Sequence, residues 1–139
     1  MRWSFLTIGA LALGACKHDA RPVPRLADLA GNWKMTATNA ANDSTLVTYE
    51  MTATADTTGW SILYPNHAAP IALHVRIDAD SVLMDAGPYA STARKGASVT
   101  IHGVVRVRDE TLVGTESAYY KLGTTESVVH IKLEGTRGG

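Results

Sequence analysis

The sequence predicts an all-β domain, built as an antiparallel meander of eight strands that closes into a small up-and-down barrel. After residue 31 the chain consists largely of short runs in which apolar and polar residues alternate, the pattern of strands with one buried face. Most of the segments between these runs are too short for a crossover helix, so consecutive strands are expected to pair as antiparallel hairpins. Closing such a meander removes its exposed edges. A two-sheet β-sandwich has the same periodicity and is the alternative.

Each predicted strand is a run of alternating character. In the first, Trp33, Met35 and Ala37 share one face, and the residues between them are polar. The eight runs cover residues 33–38, 47–54, 60–64, 71–77, 82–86, 99–107, 112–120 and 129–134. Asn, Asp, Gly and other turn-forming residues separate them, for example at 39–44, 56–59 and 109–110. Before the first strand, residues 26–30 are expected to form one helical turn or a short lead-in.

One connection is longer than a hairpin turn needs. Gly87 and Pro88 are expected to end the fifth strand, because proline cannot donate to a sheet ladder. Residues 87–97 then form the longest segment inside the domain without alternation. This loop offers an aromatic ring at Tyr89 and a cation at Arg94, a set suited to an anionic or amphipathic ligand that enters the barrel mouth. The alternative is a loop that closes over the barrel end and shields the core.

The start of the chain carries an export signal. Arg2 supplies a positive charge, and residues 3–13 form an almost unbroken apolar run, shorter than the roughly 20 residues that a bilayer span needs. Leu-Gly-Ala-Cys at 13–16 follows and resembles the lipobox of bacterial lipoproteins. That resemblance implies cleavage before Cys16 and lipidation of this cysteine with a diacylglyceryl group and a further acyl chain such as palmitate. The alternative is an ordinary secretory signal with an accidental cysteine. Cys16 is the only cysteine, so no internal disulfide is expected.

These signals divide the chain into three parts. Residues 1–15 are the lipoprotein signal peptide, 16–30 are the lipidated cysteine and a tether stiffened by prolines, and 31–137 are the barrel domain. The lipobox resemblance implies a bacterial cell envelope, with the membrane as a partner through the lipid anchor. An Asp after the cysteine retains lipoproteins in the inner membrane of enteric bacteria. Lys17 stands there instead, which favours the outer membrane, facing the periplasm.

Composition and motifs argue against several functions. The 13 basic and 13 acidic residues cancel, and no stretch clusters Lys and Arg with aromatic residues, so nucleic acid is not an expected partner. The sequence has no Gly-x-Ser-x-Gly motif and no glycine-rich phosphate loop, and we predict neither an enzyme nor a bound cofactor. His74, His102 and His130 fall on strands but out of step with the apolar residues, which predicts a solvated outer face and no metal site.

A Gly-Asn-Trp tripeptide, residues 31–33, stands at the start of the first predicted strand. Gly-x-Trp in this position resembles the lipocalins and their calycin relatives, which include avidins and fatty-acid-binding proteins. The resemblance implies a lipocalin-like barrel over residues 31–137. It also implies that a basic residue near the end of the last strand packs over Trp33 and closes the barrel through a cation–π contact. Arg137 stands in that position, with Lys132 as the alternative.

The inward phase of the predicted strands carries aromatic residues at Tyr49, Trp60 and Tyr64, which are expected to line a hydrophobic pocket. An eight-stranded barrel is only just wide enough to be filled by its own side chains, so a cavity and a filled core both stay open. With Tyr89 and Arg94 at the mouth, the first hypothesis is a binding module for a small apolar or amphipathic ligand. The alternative is a ligand-free protein-interaction module that contacts another envelope protein, as an inhibitor or an assembly accessory.

Overall fold

The structure is a computed structural model that describes residues 23–138. The predicted signal peptide, Cys16 and the first part of the predicted tether lie outside these residues. Within the described range one short helix precedes the strands, which we number in chain order: α1 Leu26–Leu29, β1 Gly31–Asn39, β2 Thr45–Ala53, β3 Ser61–Leu63, β4 Ile71–Ala72, β5 His74–Asp78, β6 Ser81–Ala90, β7 Ser98–Arg108, β8 Thr111–Leu122 and β9 Thr125–Arg137. No helix in this range is long and apolar enough to cross a membrane.

The strands form one antiparallel sheet of nine strands that is rolled into a nearly closed barrel. Neighbours in sequence pair with each other except at β4 and β5, which form the two ends of the sheet. The first strand also pairs with the last, so that Trp33 lies opposite Arg137 and Asn39 lies opposite Ile131. Rolling the sheet brings its two edges together. The predicted all-β up-and-down barrel is confirmed, and the sandwich alternative is not the fold that the chain adopts.

The predicted fourth strand, 71–77, is divided at Leu73. β4, before Leu73, pairs with β3, and β5, after it, pairs with β6 at the other end of the sheet. The Leu73 amide donates to the Trp60 carbonyl oxygen at 2.9 Å, and the Leu73 side chain is buried. The predicted count of eight strands is corrected to nine. The difference arises because one alternating run changes its partner where it brings the two edges of the sheet together.

The predicted loop 87–97 is shorter in the structure, because β6 bulges at Gly87 and Pro88 and then continues. Beyond the bulge Tyr89 pairs with Val99. The two bulged residues have no partner in the ladder, so the missing proline N–H removes no sheet hydrogen bond. Gly87 has a φ of 103°, and a Cβ added there would lie 2.5 Å from the Val99 carbonyl oxygen. The prediction that these two residues end the strand is therefore wrong.

The end of the barrel at which β1 begins is closed by α1. Leu26 and Leu29 of this helix are buried. The Trp33 indole Nε1 donates to the Leu29 carbonyl oxygen at 2.8 Å. Arg137 lies over the same ring, with Cζ 4.4 Å from the ring centroid, and its Nη1 donates to the Ala30 carbonyl oxygen at 2.8 Å. These contacts hold the helix across the barrel end, which we call the closed end.

The interior next to the closed end is filled with large apolar side chains. Burying one such side chain contributes about 1.5–3 kcal/mol, so this half of the barrel holds most of the apolar stabilisation. The largest side chains there are at most 2% exposed and belong to Trp33, Met35, Met51, Trp60, Ile62, Val82, Val105 and Leu112.

Candidate functional site

A cavity of about 380 Å³ opens at the end of the barrel opposite α1. Its walls come from the later residues of β1, β6 and β8, from the earlier residues of β2, β7 and β9, from the segment that follows β3, and from the loop at 91–97 between β6 and β7. Aliphatic and polar side chains share these walls. The polar and aromatic ones are Asn39, Tyr64, Asn66, Tyr89, Ser91, Thr92, Arg94, Glu116 and Tyr120. The barrel is thus filled in one half and hollow in the other.

Glu116 reaches into this cavity from the middle of β8. It lies between Gly103 of β7 and Ile131 of β9, and it is 5% exposed, the one charged residue buried in the described part of the chain. Gly103 lies next to the carboxylate, and a Cβ added at that glycine would be 3.7 Å from the Glu116 Oε1 atom, an ordinary van der Waals contact. The hydrogen bonds and ion pairs found among residues 23–138 include none to the Glu116 carboxylate.

Burial raises the pKa of Glu116 to about 7. Removal from water disfavours the charged carboxylate, and no donor or cation of the described chain offsets that cost. The group therefore changes its charge near neutral pH. A buried carboxylate without a partner weakens a fold, and a strongly raised pKa inside a cavity is a common property of functional groups. Glu116 is consequently the centre of the candidate site.

Three tyrosines stand in a row along one side of the barrel. The Tyr64 and Tyr89 hydroxyl oxygens are 3.1 Å apart, and their ring centroids are 6.2 Å apart. The ring of Tyr49 lies behind Tyr64, with centroids 5.0 Å apart. Burial raises the pKa of all three hydroxyls, to about 12 for Tyr89. They therefore stay protonated near neutral pH and offer hydrogen bonds and aromatic faces.

Arg94, on the 91–97 loop, lies at the rim of the cavity. Its Cζ is 4.3 Å from the centroid of the Tyr120 ring, and its Nη1 donates to the Ser127 Oγ atom at 2.6 Å. The backbone amide of Arg94 donates to the Ser91 Oγ atom at 3.0 Å, which shapes the loop. The guanidinium is held against the rim by these contacts. The cavity therefore has an acidic group at its bottom and a basic group at its mouth.

The residues predicted to bind a ligand occupy three kinds of position. Tyr64, Tyr89 and Arg94 line the cavity together. Tyr49 packs behind Tyr64 and is 4% exposed. Trp60 lies in the filled half, where it is 1% exposed and its Nε1 donates to a backbone carbonyl oxygen at 2.8 Å. The structure brings the first three together and leaves Trp60 out of the cavity wall.

Sequence reasoning missed Glu116, the most unusual member of the site. The signal was present, because Leu112, Gly114, Glu116, Ala118 and Tyr120 follow one another at every second position. Every second residue of a strand points to the same face. A glutamate in the phase of buried Leu112 and Ala118 therefore indicated an acidic group inside the barrel.

Other polar groups in the described chain lie on the surface. His74, His102 and His130 are exposed; the His102 Nδ1 atom is 2.5 Å from an Asp85 carboxylate oxygen. No group of three or more His, Cys, Asp or Glu side chains within residues 23–138 is placed to hold a metal ion.

A wider depression of about 720 Å³ lies beside α1. Its polar lining residues are exposed or half-buried, and we assign no ligand to it.

Comparison with known proteins finds no protein-family model, no curated protein and no solved structure that matches this chain.

Proposed function

We propose that this protein is a lipid-anchored binding protein of a bacterial cell envelope whose barrel holds a small amphipathic ligand. The observation that carries the proposal is the hollow half of the barrel, where a buried carboxylate meets aromatic and aliphatic walls. Its volume of about 380 Å³ falls within the roughly 300–1,000 Å³ typical of small-molecule pockets. A few convergent polar groups in such a cavity orient one ligand, and the aliphatic walls bury its apolar part.

The chemistry of the walls supports binding rather than catalysis. Glu116 exchanges a proton near neutral pH, whereas the raised pKa of Tyr64 and Tyr89 keeps both hydroxyls protonated. Covalent catalysis needs a nucleophile in contact with a base, and no hydroxyl of the described walls is paired with Glu116 in this way. The proposed function therefore includes no enzymatic activity and no bound cofactor.

The start of the described chain and the cavity mouth lie at opposite ends of the barrel. The chain enters the domain through α1 at the closed end, and Arg94 and Tyr120 mark the mouth at the other. With lipid on Cys16, the proposed tether over residues 16–30 joins the barrel at the end away from the mouth. The proposed location is the outer membrane, facing the periplasm, and the ligand reaches the barrel from the aqueous side.

Native mass spectrometry of the mature protein, extracted from its own membrane in mild detergent, tests this function. Ala118→Phe adds a ring inside the cavity, and Ala72→Phe adds the same ring on an exposed position of β4 as a matched control. We expect a noncovalently bound mass on the wild type and on Ala72→Phe, and its loss from Ala118→Phe. A wild-type protein that leaves its membrane with no bound mass would contradict the proposal.

A ligand-free protein-interaction module is the second candidate, and one observation favours it. Tyr119 of β8 and Val128 of β9 are paired in the sheet and are 46% and 45% exposed. An exposed aromatic residue beside an exposed aliphatic one forms a small apolar patch suited to a protein partner. An empty barrel in the mass spectrometry experiment is the outcome that would favour this function over ligand binding.

A further inference from the structure

We infer that the cavity takes an organic cation, a primary amine joined to an apolar group, whose ammonium pairs with Glu116. The inference rests on the proposed binding function and names the class of ligand. It starts from geometry: Glu116 is 5% exposed, lines the cavity and has no hydrogen-bond or ion-pair partner among the described residues. The Glu116 carboxylate keeps some solvent contact only through the cavity, so water or a ligand that enters there is its partner.

The energetic argument concerns desolvation. A carboxylate that is buried alone loses its hydration, and folded proteins offset this loss with a counter-ion or with hydrogen-bond donors. The described chain supplies neither to Glu116. A ligand ammonium supplies both, because it carries one positive charge and three N–H donors.

The groups facing Glu116 come from all the elements around the cavity. Gly103 of β7 and Ile131 of β9 flank it and carry no charge. Arg94 is the basic side chain of the wall, and its guanidinium contacts the ring of Tyr120 and the hydroxyl of Ser127 at the rim. The other titratable groups that interact with Glu116 are hydroxyls whose pKa is raised chiefly by burial; they belong to Tyr49, Tyr64, Tyr89 and Tyr120. The described wall therefore offers Glu116 no neutralising ion pair.

These walls discriminate between head groups. An anionic group at the bottom of the cavity would lie beside the Glu116 carboxylate and be repelled by it, and the guanidinium of Arg94 is at the rim, where it contacts Tyr120 and Ser127. A neutral alcohol would donate a hydrogen bond but would leave the buried charge uncompensated. A cation gains a further attraction where it contacts the face of an aromatic ring, and Tyr64 and Tyr89 line the same cavity.

Pairing with an ammonium makes binding depend on pH. Burial raises the pKa of Glu116 to about 7 in the empty cavity, whereas a primary amine resembles the lysine side chain and stays protonated up to about pH 10. Below pH 7 the carboxyl group must release its proton before it can pair, so the affinity falls by up to about tenfold for each pH unit. The affinity for an amine is therefore expected to rise between pH 5 and pH 8 and then to level off.

Isothermal titration calorimetry of the mature lipidated protein in detergent tests the inference with three probes of similar size: 2-phenylethylamine, 2-phenylethanol and 3-phenylpropionate. At pH 8 we expect the amine to bind at least about tenfold more tightly than the alcohol, and the carboxylate to bind most weakly. Glu116→Gln keeps the shape of the side chain and removes its charge, and should bind the amine and the alcohol alike. Glu134→Gln removes a carboxylate from an exposed position of β9 and should keep the preference for the amine.

The possible outcomes separate the inference from the proposed function. If the wild type binds the alcohol or the propionate as tightly as the amine, the cation inference is overturned and the binding function stands. An amine preference that persists in Glu116→Gln also overturns it. Should Glu116→Gln fail to fold, the wild-type pH profile decides, since an amine affinity that stays flat from pH 8 down to about pH 3, below the ordinary pKa of a glutamate, excludes pairing with this carboxylate. If none of the probes binds, the inference fails, and the proposed function fails with it only when the extracted protein also carries no bound mass.

Discussion

Glu116 is the residue at which fold stability and the proposed function have opposite requirements. Leu112 and Ala118 share its face of β8 and are buried, so an apolar side chain at position 116 would extend the core toward the mouth. The carboxylate instead stands at the bottom of the cavity with its charge unpaired. Functional groups are often held at such a cost to stability.

Because of this unpaired carboxylate, the free energy of unfolding should depend on pH. The pKa of Glu116 is raised from its ordinary value of 4.5 to about 7 in the folded protein, so between these values the folded state binds more protons than the unfolded chain. Its contribution to stability is fully present below pH 4.5 and is lost as the pH rises through 7. The loss amounts to about 3 kcal/mol. Urea unfolding at pH 5 and pH 8 should show it in the wild type but not in Glu116→Gln, which we expect to be the more stable protein at pH 8.

Glu134→Gln is the control for this prediction, because residue 134 is exposed and its removal should leave the wild-type dependence on pH in place. Equal pH dependence in the wild type and in Glu116→Gln would mean that Glu116 titrates normally in the folded protein.

The β7–β8 hairpin shows how element geometry depends on single glycines. At Gly114 an added Cβ would lie 1.8 Å from the Val104 carbonyl oxygen of the neighbouring strand. At Gly103, in the same hairpin, the nearest atom to an added Cβ is 3.5 Å away. The first glycine is required by the close approach of two backbones, whereas the second has room for a Cβ.

Alanine substitutions should therefore have different effects at these two positions. Gly114→Ala forces two hydrogen-bonded strands apart, and we expect it to lower the unfolding free energy by about 3 kcal/mol or more. Gly103→Ala meets only ordinary contacts and restricts the unfolded chain, so we expect a change within about 1 kcal/mol. Thermal unfolding followed by circular dichroism measures both. Similar losses in the two variants would contradict the assigned role of Gly114.

At the scale of the whole molecule, one end of the barrel is closed and the other is open. α1, Trp33 and Arg137 seal the end at which the chain enters the domain. Arg94 and Tyr120 stand at the opposite end, where the cavity opens. The end at which the described chain enters the domain and the end at which the cavity opens are therefore different ends of the barrel.

The anchor can be separated from the barrel by one substitution. Cys16→Ala is expected to abolish incorporation of labelled palmitate and to move the protein from the membrane fraction to the soluble fraction, because no other cysteine exists to accept the lipid. Lys17→Ala keeps the cysteine and should remain labelled. Metabolic labelling followed by membrane fractionation measures both effects. Full labelling of Cys16→Ala would show that the anchor lies elsewhere.

The sequence allowed more of the fold than of the site to be predicted. The alternation of apolar and polar residues predicted almost all the strands, because it indicates which face of each strand is buried. The run at 71–77 was predicted as one strand because alternation does not show that its partner changes at Leu73. At the site, Tyr64, Tyr89 and Arg94 were predicted from aromatic and basic character. Trp60 was predicted with them, although it packs in the filled half of the barrel.

The sequence by itself determined the antiparallel order of the strands, because alternation and short connections are local properties of the chain. Only the tertiary structure decided where the barrel is hollow and which side chains meet there. Tyr64 and Tyr89 bring their hydroxyls to 3.1 Å although they are 25 residues apart in sequence. Glu116 acquires its raised pKa only when the rolled sheet removes it from water. Burial and proximity of this kind depend on closure of the whole sheet, which no single segment of the sequence specifies.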